Sequence, residues 1–152
     1  MSPEEKIWNI SDCEGWQEIV GQHQVVLCYG HFNMIHPGHI RYLEHAKSLG
    51  EQLIVAVQGD QVLINSDNSH HFSAKERALG LAWLHIVDFV LILDKFELTE
   101  AIKMFRPSSL VLGKEFEKEL QDLIKKPLKV LRDVGGRVVT LAGSGTRIEK
   151  TR

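Results

Sequence analysis

The sequence predicts an α/β fold: a five-stranded parallel sheet doubly wound, with helices on both faces. Three observations predict it. Short apolar runs alternate with helix-period segments along the whole chain, the pattern of βαβ units. The runs are apolar throughout rather than alternating, as expected of strands covered on both faces. The length, 152 residues, suits a single domain.

Taken in order, Gln24–Tyr29 (QVVLCY) is a buried strand ending at Gly30. Pro37–Leu49 is a helix, with Ile40, Leu43 and Ala46 on one face and Gly50 just past its end. Gln52–Gln58 is the second strand and stops at Gly59-Asp60, and the polar, aperiodic Asp67–Phe72 is a loop. Ser73 caps a helix running to Trp83, because Glu76 three residues on completes a capping-box pattern. Val87–Leu93 is the third strand, Leu98–Phe105 a short helix closed by Pro107, and Leu110–Gly113 the fourth strand. Phe116–Val134 carries a long amphipathic pattern that Pro127 could interrupt, then Gly135-Gly136 turns into a fifth strand, Arg137–Leu141. Ser144 onward reads as the start of a last helix, and the chain stops at RIEKTR, shortly into it. That ending reads as a domain, 1–152, excised from a longer multidomain chain.

Composition excludes several classes. Hydrophobic residues make up 43% and charged residues 25%, ordinary globular usage. The net charge is -2, with 18 Lys and Arg against 20 Asp and Glu, which argues against a general nucleic-acid binder. The halves differ, however: residues 1–76 hold 4 basic and 10 acidic side chains, and residues 77–152 hold 14 and 10. No apolar run approaches the roughly 18 residues of a membrane span, and the acidic start, MSPEEKIWNISDCEGW, lacks the pattern of a secretory signal. A cytoplasmic protein is expected. Cys13 and Cys28 have neither metal-pair nor disulfide spacing, and Cys28, inside an apolar run, is expected to be a buried thiol.

The eight histidines are the oddity, and His31, His36 and His39 fall within nine residues. They lie in Tyr29–His39, YGHFNMIHPGH, the junction between first strand and first long helix. In a doubly wound sheet this junction is at the carboxyl edge, where ligands bind. Gly30 permits a tight exit from the strand, Pro37 suits a first helical turn, and Gly38 clears space over it. His36 and His39, three apart, face the same side of that turn. Two imidazoles beside free helix N–H groups can bind a triphosphate and stabilise charge growing on its α-phosphate. An HxxH pair is also what two surface or capping histidines look like. Zinc lacks a third ligand at suitable spacing.

GHFNMIHPGH resembles the GxFDxxHxGH signature of the cytidylyltransferase-like nucleotidyltransferases. HIRYLEHAKSLGEQLIVAVQGD, KERALGLAWLHIVDFVLIL, RPSSLVLGKEFE and VGGRVVTL extend the likeness over about residues 7–150. The likeness is to glycerol-3-phosphate cytidylyltransferases and, more strongly, to the adenylyltransferase domain of bifunctional heptose-phosphate enzymes, where such a domain is fused to a sugar kinase. The resemblance implies the Rossmann-like HxGH fold with strand order 3-2-1-4-5, counting the five expected strands along the chain. It implies His36 and His39 as the catalytic pair. Nucleotide binding falls to Gly30, His31, Phe32 and Gly38, to Gly113, Lys114 and Phe116 of the fourth-strand loop, and to the hydroxyls and helix N-terminus at Ser144 and Thr146. Asn33, Asp60, Arg77, His70 and His71 fall on the acceptor side. Mg²⁺ is the implied cofactor, accompanying CTP or ATP, and the acceptor is a small phosphorylated or phosphonate compound. No nucleic-acid or membrane partner is implied. A homodimer through the face near the first long helix, and a fused catalytic domain beyond residue 152, complete what the resemblance implies. Trp83 is available to that face or, more ordinarily, to the core.

The sequence departs from the family pattern in four places. Asn33 replaces the usual Asp. The loop INSDNSHHFS lacks the family's Lys and Arg-Pro, and neutral imidazoles at His70 and His71 are weak substitutes for a guanidinium. The fourth-strand loop reads VLGKEFE, with Lys114 able to restore a positive charge, and Ser144-Gly145-Thr146 replaces Ser-Thr-Thr. Two functions therefore stand side by side: a nucleotidyltransferase acting on an unusual acceptor, and a degenerate nucleotide-binding domain that regulates or positions a fused partner. A coenzyme-A or NAD-pathway adenylyltransferase fits less well, since SGTRIEK matches its closing motif poorly.

Overall fold

The structure, a computed structural model, describes residues 1–13, 23–60, 72–94, 97–113, 121–141 and 147–150. Its central strands are Val25–Gly30 (β2), Gln52–Gln58 (β3), Phe89–Leu93 (β4), Ser109–Gly113 (β5) and Arg137–Leu141 (β6). They are parallel to one another. The parallel sheet of an α/β domain is therefore as the sequence indicates.

The five-stranded sheet in order 3-2-1-4-5 is corrected: among the described residues the sheet has seven strands, with Ile7–Asn9 (β1) and Arg147–Lys150 (β7) added in the order β1-β4-β3-β2-β5-β6-β7. The five segments read from the sequence occupy its middle. Ile7–Asn9 (β1) joins one edge, parallel to β4, and Arg147–Lys150 (β7) joins the other, antiparallel to β6. β7 replaces the last helix expected after Ser144. Its four residues are too few to separate a period of 2 from one of 3.6, and its charged composition is that of an edge strand.

Side chains alternate across the sheet, as the strand period requires. Val25, Leu27, Tyr29, Ile54, Ala56, Leu91, Leu110 and Leu112 face one way, onto Leu98, Ala101, Ile102 and Phe105 of helix α3 (Leu98–Phe105) and Ile124 and Leu131 of helix α4 (Gln121–Asp133). Val26, Cys28, Leu53, Val55, Val57, Val90 and Val111 face the other way, onto Leu43 and Ala46 of helix α1 (Pro37–Lys47) and Ala78, Leu81 and Ala82 of helix α2 (Ala74–Ala82). Each face thus has its own core. Cys28 is fully buried as expected, and desolvation pushes its thiol up to about 12.

Helix boundaries follow local chemistry. Ser73 caps α2 through a capping box with Glu76, as the sequence indicates, a device worth about 1 kcal/mol. α3 ends at Arg106, which takes a left-handed backbone (φ 45°) ahead of Pro107. α4 continues through Pro127, the point at which the sequence offers an interruption. Trp83 is 69% exposed, which overturns its assignment to the core.

Candidate active site

β2 is flanked by β3 on one side and β5 on the other. The chain leaves β2 for the β3–β4 side and later crosses to β5. The crevice beyond the carboxyl end of β2 is therefore the topological switch point, where open α/β sheets bind ligands. Residues 31–36 and the first turn of α1 lie there.

His36 is the N-cap of α1. Its Nδ1 accepts the Gly38 amide at 3.0 Å, and the His36 amide donates to His39 Nδ1 at 3.2 Å. This is a reciprocal capping box with two imidazoles in the places usually taken by a hydroxyl and a carboxylate. A neutral imidazole that accepts at Nδ1 carries its proton on Nε2. The box therefore fixes one tautomer in both rings and leaves two Nε2–H groups as donors, with ring centroids 4.0 Å apart. Burial, and secondly the neighbouring His36, hold the His39 pKa below its ordinary value. Both causes favour the neutral ring that the box requires.

The box also revises the expectation of free amides at this helix end. The His36 and Gly38 N–H groups are already paired within it, so the imidazoles are the principal donors on offer. Gly38 is needed for the fold-back of His36: a Cβ at position 38 would lie 2.8 Å from His36 Cε1 and 3.0 Å from its Nδ1.

Phe32 has a left-handed backbone, φ 53°, a conformation costing a non-glycine residue roughly 1–2 kcal/mol. The residue is only 7% exposed, and its ring packs 5.7 Å from the His39 ring and 6.2 Å from that of Tyr42, centroid to centroid. It also fills the space beside Gly30, where a Cβ would meet Phe32 Cε2 at 2.9 Å. Phe32 can thus offer a nucleotide its backbone but little of its side chain. Tyr42 is a site residue that sequence reasoning missed. Its hydroxyl donates to the Val111 carbonyl at 2.6 Å and is hydrogen-bonded to the Cys28 thiol. An aromatic beside Leu43 on the buried face of a helix reads simply as core, and no spacing signals this role.

On the expected acceptor side, Arg77 is a clamp. Its side chain is fully buried, and it donates through Nε to the Phe72 carbonyl (2.9 Å), through Nη1 to the His31 carbonyl (2.9 Å) and through Nη2 to Asp60 Oδ1 (3.3 Å). Asp60, 63% exposed at its side chain, also accepts the Ala74 amide at 2.8 Å. Asn33 Oδ1 accepts the Phe72 amide at 2.7 Å. Together these bonds tie the segment after β2, the end of β3 and the start of α2 into one unit. Gly113 ends β5 at the same sheet edge. His70, His71, Lys114, Phe116, Ser144 and Thr146 lie outside the described residues. Beside the box, a surface groove of about 390 Å³ is lined by Ile35, His36, Pro37, Ile40 and Arg41.

Among the described residues no group of three His, Cys, Asp or Glu side chains could hold a metal ion. The donors at the histidine box are N–H groups, which suit phosphate oxygens, and Asp60 Oδ1 is taken up by Arg77 and Ala74. These residues do not form a site for Mg²⁺, whose preferred ligands are oxygens.

Comparison with known proteins identifies the family. Bifunctional protein HldE of Campylobacter fetus is 32% identical over 120 residues, 76% of this chain and 26% of that protein. HldE of Wolinella succinogenes is 34% identical over 119 residues, 75% of this chain and 25% of its own length. The chain spans about a quarter of the length of these relatives. Among solved structures, a lipopolysaccharide core biosynthesis protein from Thermoplasma volcanium superposes with a TM-score of 0.61 and 26% identity, covering 79% of this chain and 95% of that one. A pantoate-beta-alanine ligase from Francisella tularensis shares the fold alone, with a TM-score of 0.62 at 18% identity over 90% of this chain and 66% of that one. The Cytidylyltransferase-like family matches residues 27–141, from the middle of β2 to the end of β6, and with the histidine box inside that span the chain belongs to the cytidylyltransferase-like family of nucleotidyltransferases.

Proposed function

We propose that this domain transfers NMP from CTP or ATP to the phosphate or phosphonate group of a small acceptor. The acceptor is a sugar phosphate, a polyol phosphate or an alkylphosphonate, and pyrophosphate is released. The observation that carries the reading is the reciprocal histidine box at the switch point. An anionic acceptor oxygen attacks the α-phosphorus, the bond from that phosphorus to the β-phosphate bridging oxygen breaks, and the electron pair leaves with pyrophosphate. The acceptor oxygen is already ionised near neutral pH, so no general base is required. His36 and His39 donate through Nε2–H to oxygens that gain charge in the transition state, the kind of preorganised stabilisation that accounts for much of enzymatic rate enhancement. Mg²⁺ belongs to the substrate in this reading, carried by the phosphate oxygens of the NTP, and none of these steps rests on it.

Gly30, His31, Phe32 and Gly38 line the nucleotide side through their backbone. Gly113, Lys114 and Phe116 serve the base and ribose, and Ser144 and Thr146 serve the phosphates. On the acceptor side Asn33, Asp60 and Arg77 hold the frame, with His70 and His71 as further donors. The relatives are named as bifunctional, which supports a second activity fused to a domain of this kind. A homodimer through the face near α1 and the loop that follows it belongs to the same reading, and Trp83, exposed at the end of α2, is an apolar side chain available to such a contact. The test is pyrophosphate release with CTP, ATP, GTP and UTP against a panel of sugar phosphates, polyol phosphates and phosphonates. Release with one NTP–acceptor pair supports the reading. NTP binding without release from any pair supports the degenerate, positioning domain instead.

A further inference from the structure

The proposed chemistry needs His39 to hold one tautomer and one direction, and the capping bond to Nδ1 does not by itself fix the ring plane. Something must stand behind the ring, and the structure puts Phe32 there. Phe32 packs against His39 on one side and Tyr42 on another, with centroid separations of 5.7 and 6.2 Å. Its left-handed backbone (φ 53°) turns the side chain inward over Gly30. Phe32 as a whole is nearly sealed from solvent, at 7% exposure. Tyr42 is itself held from two strands. Its hydroxyl donates to the Val111 carbonyl of β5 at 2.6 Å and meets the Cys28 thiol of β2. β2 and β5 are the two strands between which the sheet changes direction of winding.

We propose that Phe32, braced by Tyr42, is a positioning residue that holds the His39 ring where its Nδ1 accepts the His36 amide, so that the capping bond keeps the Nε2–H tautomer and that donor stays aimed at the transferring phosphoryl group. The aim is set by the sheet itself, since the brace runs from β2 and β5 through Tyr42 and Phe32 to His39. Phe32 touches no reacting atom in this arrangement. It acts through His39 alone, so its loss lowers turnover while leaving nucleotide affinity in place. The inference rests on the nucleotidyl-transfer reading for its kinetic consequence, but the geometry of the brace can be tested without turnover.

The experiment uses the full chain with Phe32→Leu, which keeps apolar bulk and removes the ring, and Tyr42→Phe, which keeps a ring and removes the hydroxyl. Imidazole ¹⁵N spectra report the His39 tautomer, and steady-state kinetics report kcat and KM. The expected result for Phe32→Leu is a His39 spectrum shifted from a single Nε2–H form to a mixture of tautomers, with kcat lowered about 10-fold and KM for the NTP within about two-fold. Tyr42→Phe is expected to lower kcat several-fold in the same direction, and it serves alone should Phe32→Leu not fold. A single, unchanged His39 tautomer in a folded Phe32→Leu, or in Tyr42→Phe where that is the only folded variant, overturns the proposal. So does a raised KM with kcat intact, which would make Phe32 a nucleotide contact. Should the wild type release no pyrophosphate with any substrate pair, the transfer reading fails while the tautomer spectra still decide the brace.

Discussion

At the scale of the residue, the site rests on the use of imidazole as a capping group. His36 and His39 each accept an amide hydrogen at Nδ1, and the bond to His39 requires its ring to be neutral. Protonation places a hydrogen on Nδ1, where it faces a donor. Burial of His39, reinforced by His36, depresses its pKa below the usual 6.5. The sign follows: the unfolded chain binds a proton near the ordinary histidine value, and the folded chain resists it. Folding stability linked to His39 is therefore complete above pH 6.5 and declines as the pH falls from there through the depressed value. Activity is expected to follow, with the acid limb of kcat/KM lying below pH 6.5. A limb at or above 6.5 would show that the ring is not held neutral. That the two histidines share one side of a helical turn was legible from their spacing. Their mutual capping was not, because spacing says nothing about which ring nitrogen meets which amide.

At the scale of the element, three segments distant in sequence are joined by Arg77. Its three donors reach the carbonyls of His31 and Phe72 and the carboxylate of Asp60. A guanidinium fork serves three directions at once, whereas an ammonium is a single point on a flexible stem. Arg77→Lys is expected to lose the bonds from the buried guanidinium to these carbonyls and to cost about 2–3 kcal/mol, a fall in Tm of roughly 5–10 °C. An unchanged melting temperature in a calorimetric scan would contradict the clamp. The elements around it were readable from the sequence: Ser73 with Glu76 marked the start of α2, and Gly30 and Pro37 bracketed the loop that holds the histidines. β1 and β7 were not readable. IWN is too short for any period to show, and RIEK follows a Ser-Gly-Thr segment that reads as well for a helix start. Arg77 was legible as a charged residue opening a helix, but its burial depends on where the 31–33 segment comes to rest.

At the scale of the molecule, the near-neutral net charge says little about the site. The motif lies in the acidic half of the chain, and Arg77, from the basic half, folds onto it beside Asp60. The sheet carries the histidines at its centre and places its added strands at the edges. Lys6, beside β1, donates to the carbonyls of Leu84 (3.3 Å) and Val87 (3.0 Å) and closes the turn between α2 and β4. Lys6→Ala is expected to cost about 1 kcal/mol of stability with kcat unchanged, since it lies across the β4 edge from the histidine box. A loss of turnover in that variant would show that the edge and the switch point are coupled. The central claim is that the fold delivers two imidazole N–H donors to the phosphoryl group in flight. Pyrophosphate release by His39→Ala, compared with wild type on the same substrate pair, tests it most directly. The expected result is a kcat lower by about 100-fold or more in a variant whose melting curve shows it folded, and a near-wild-type rate would contradict the account.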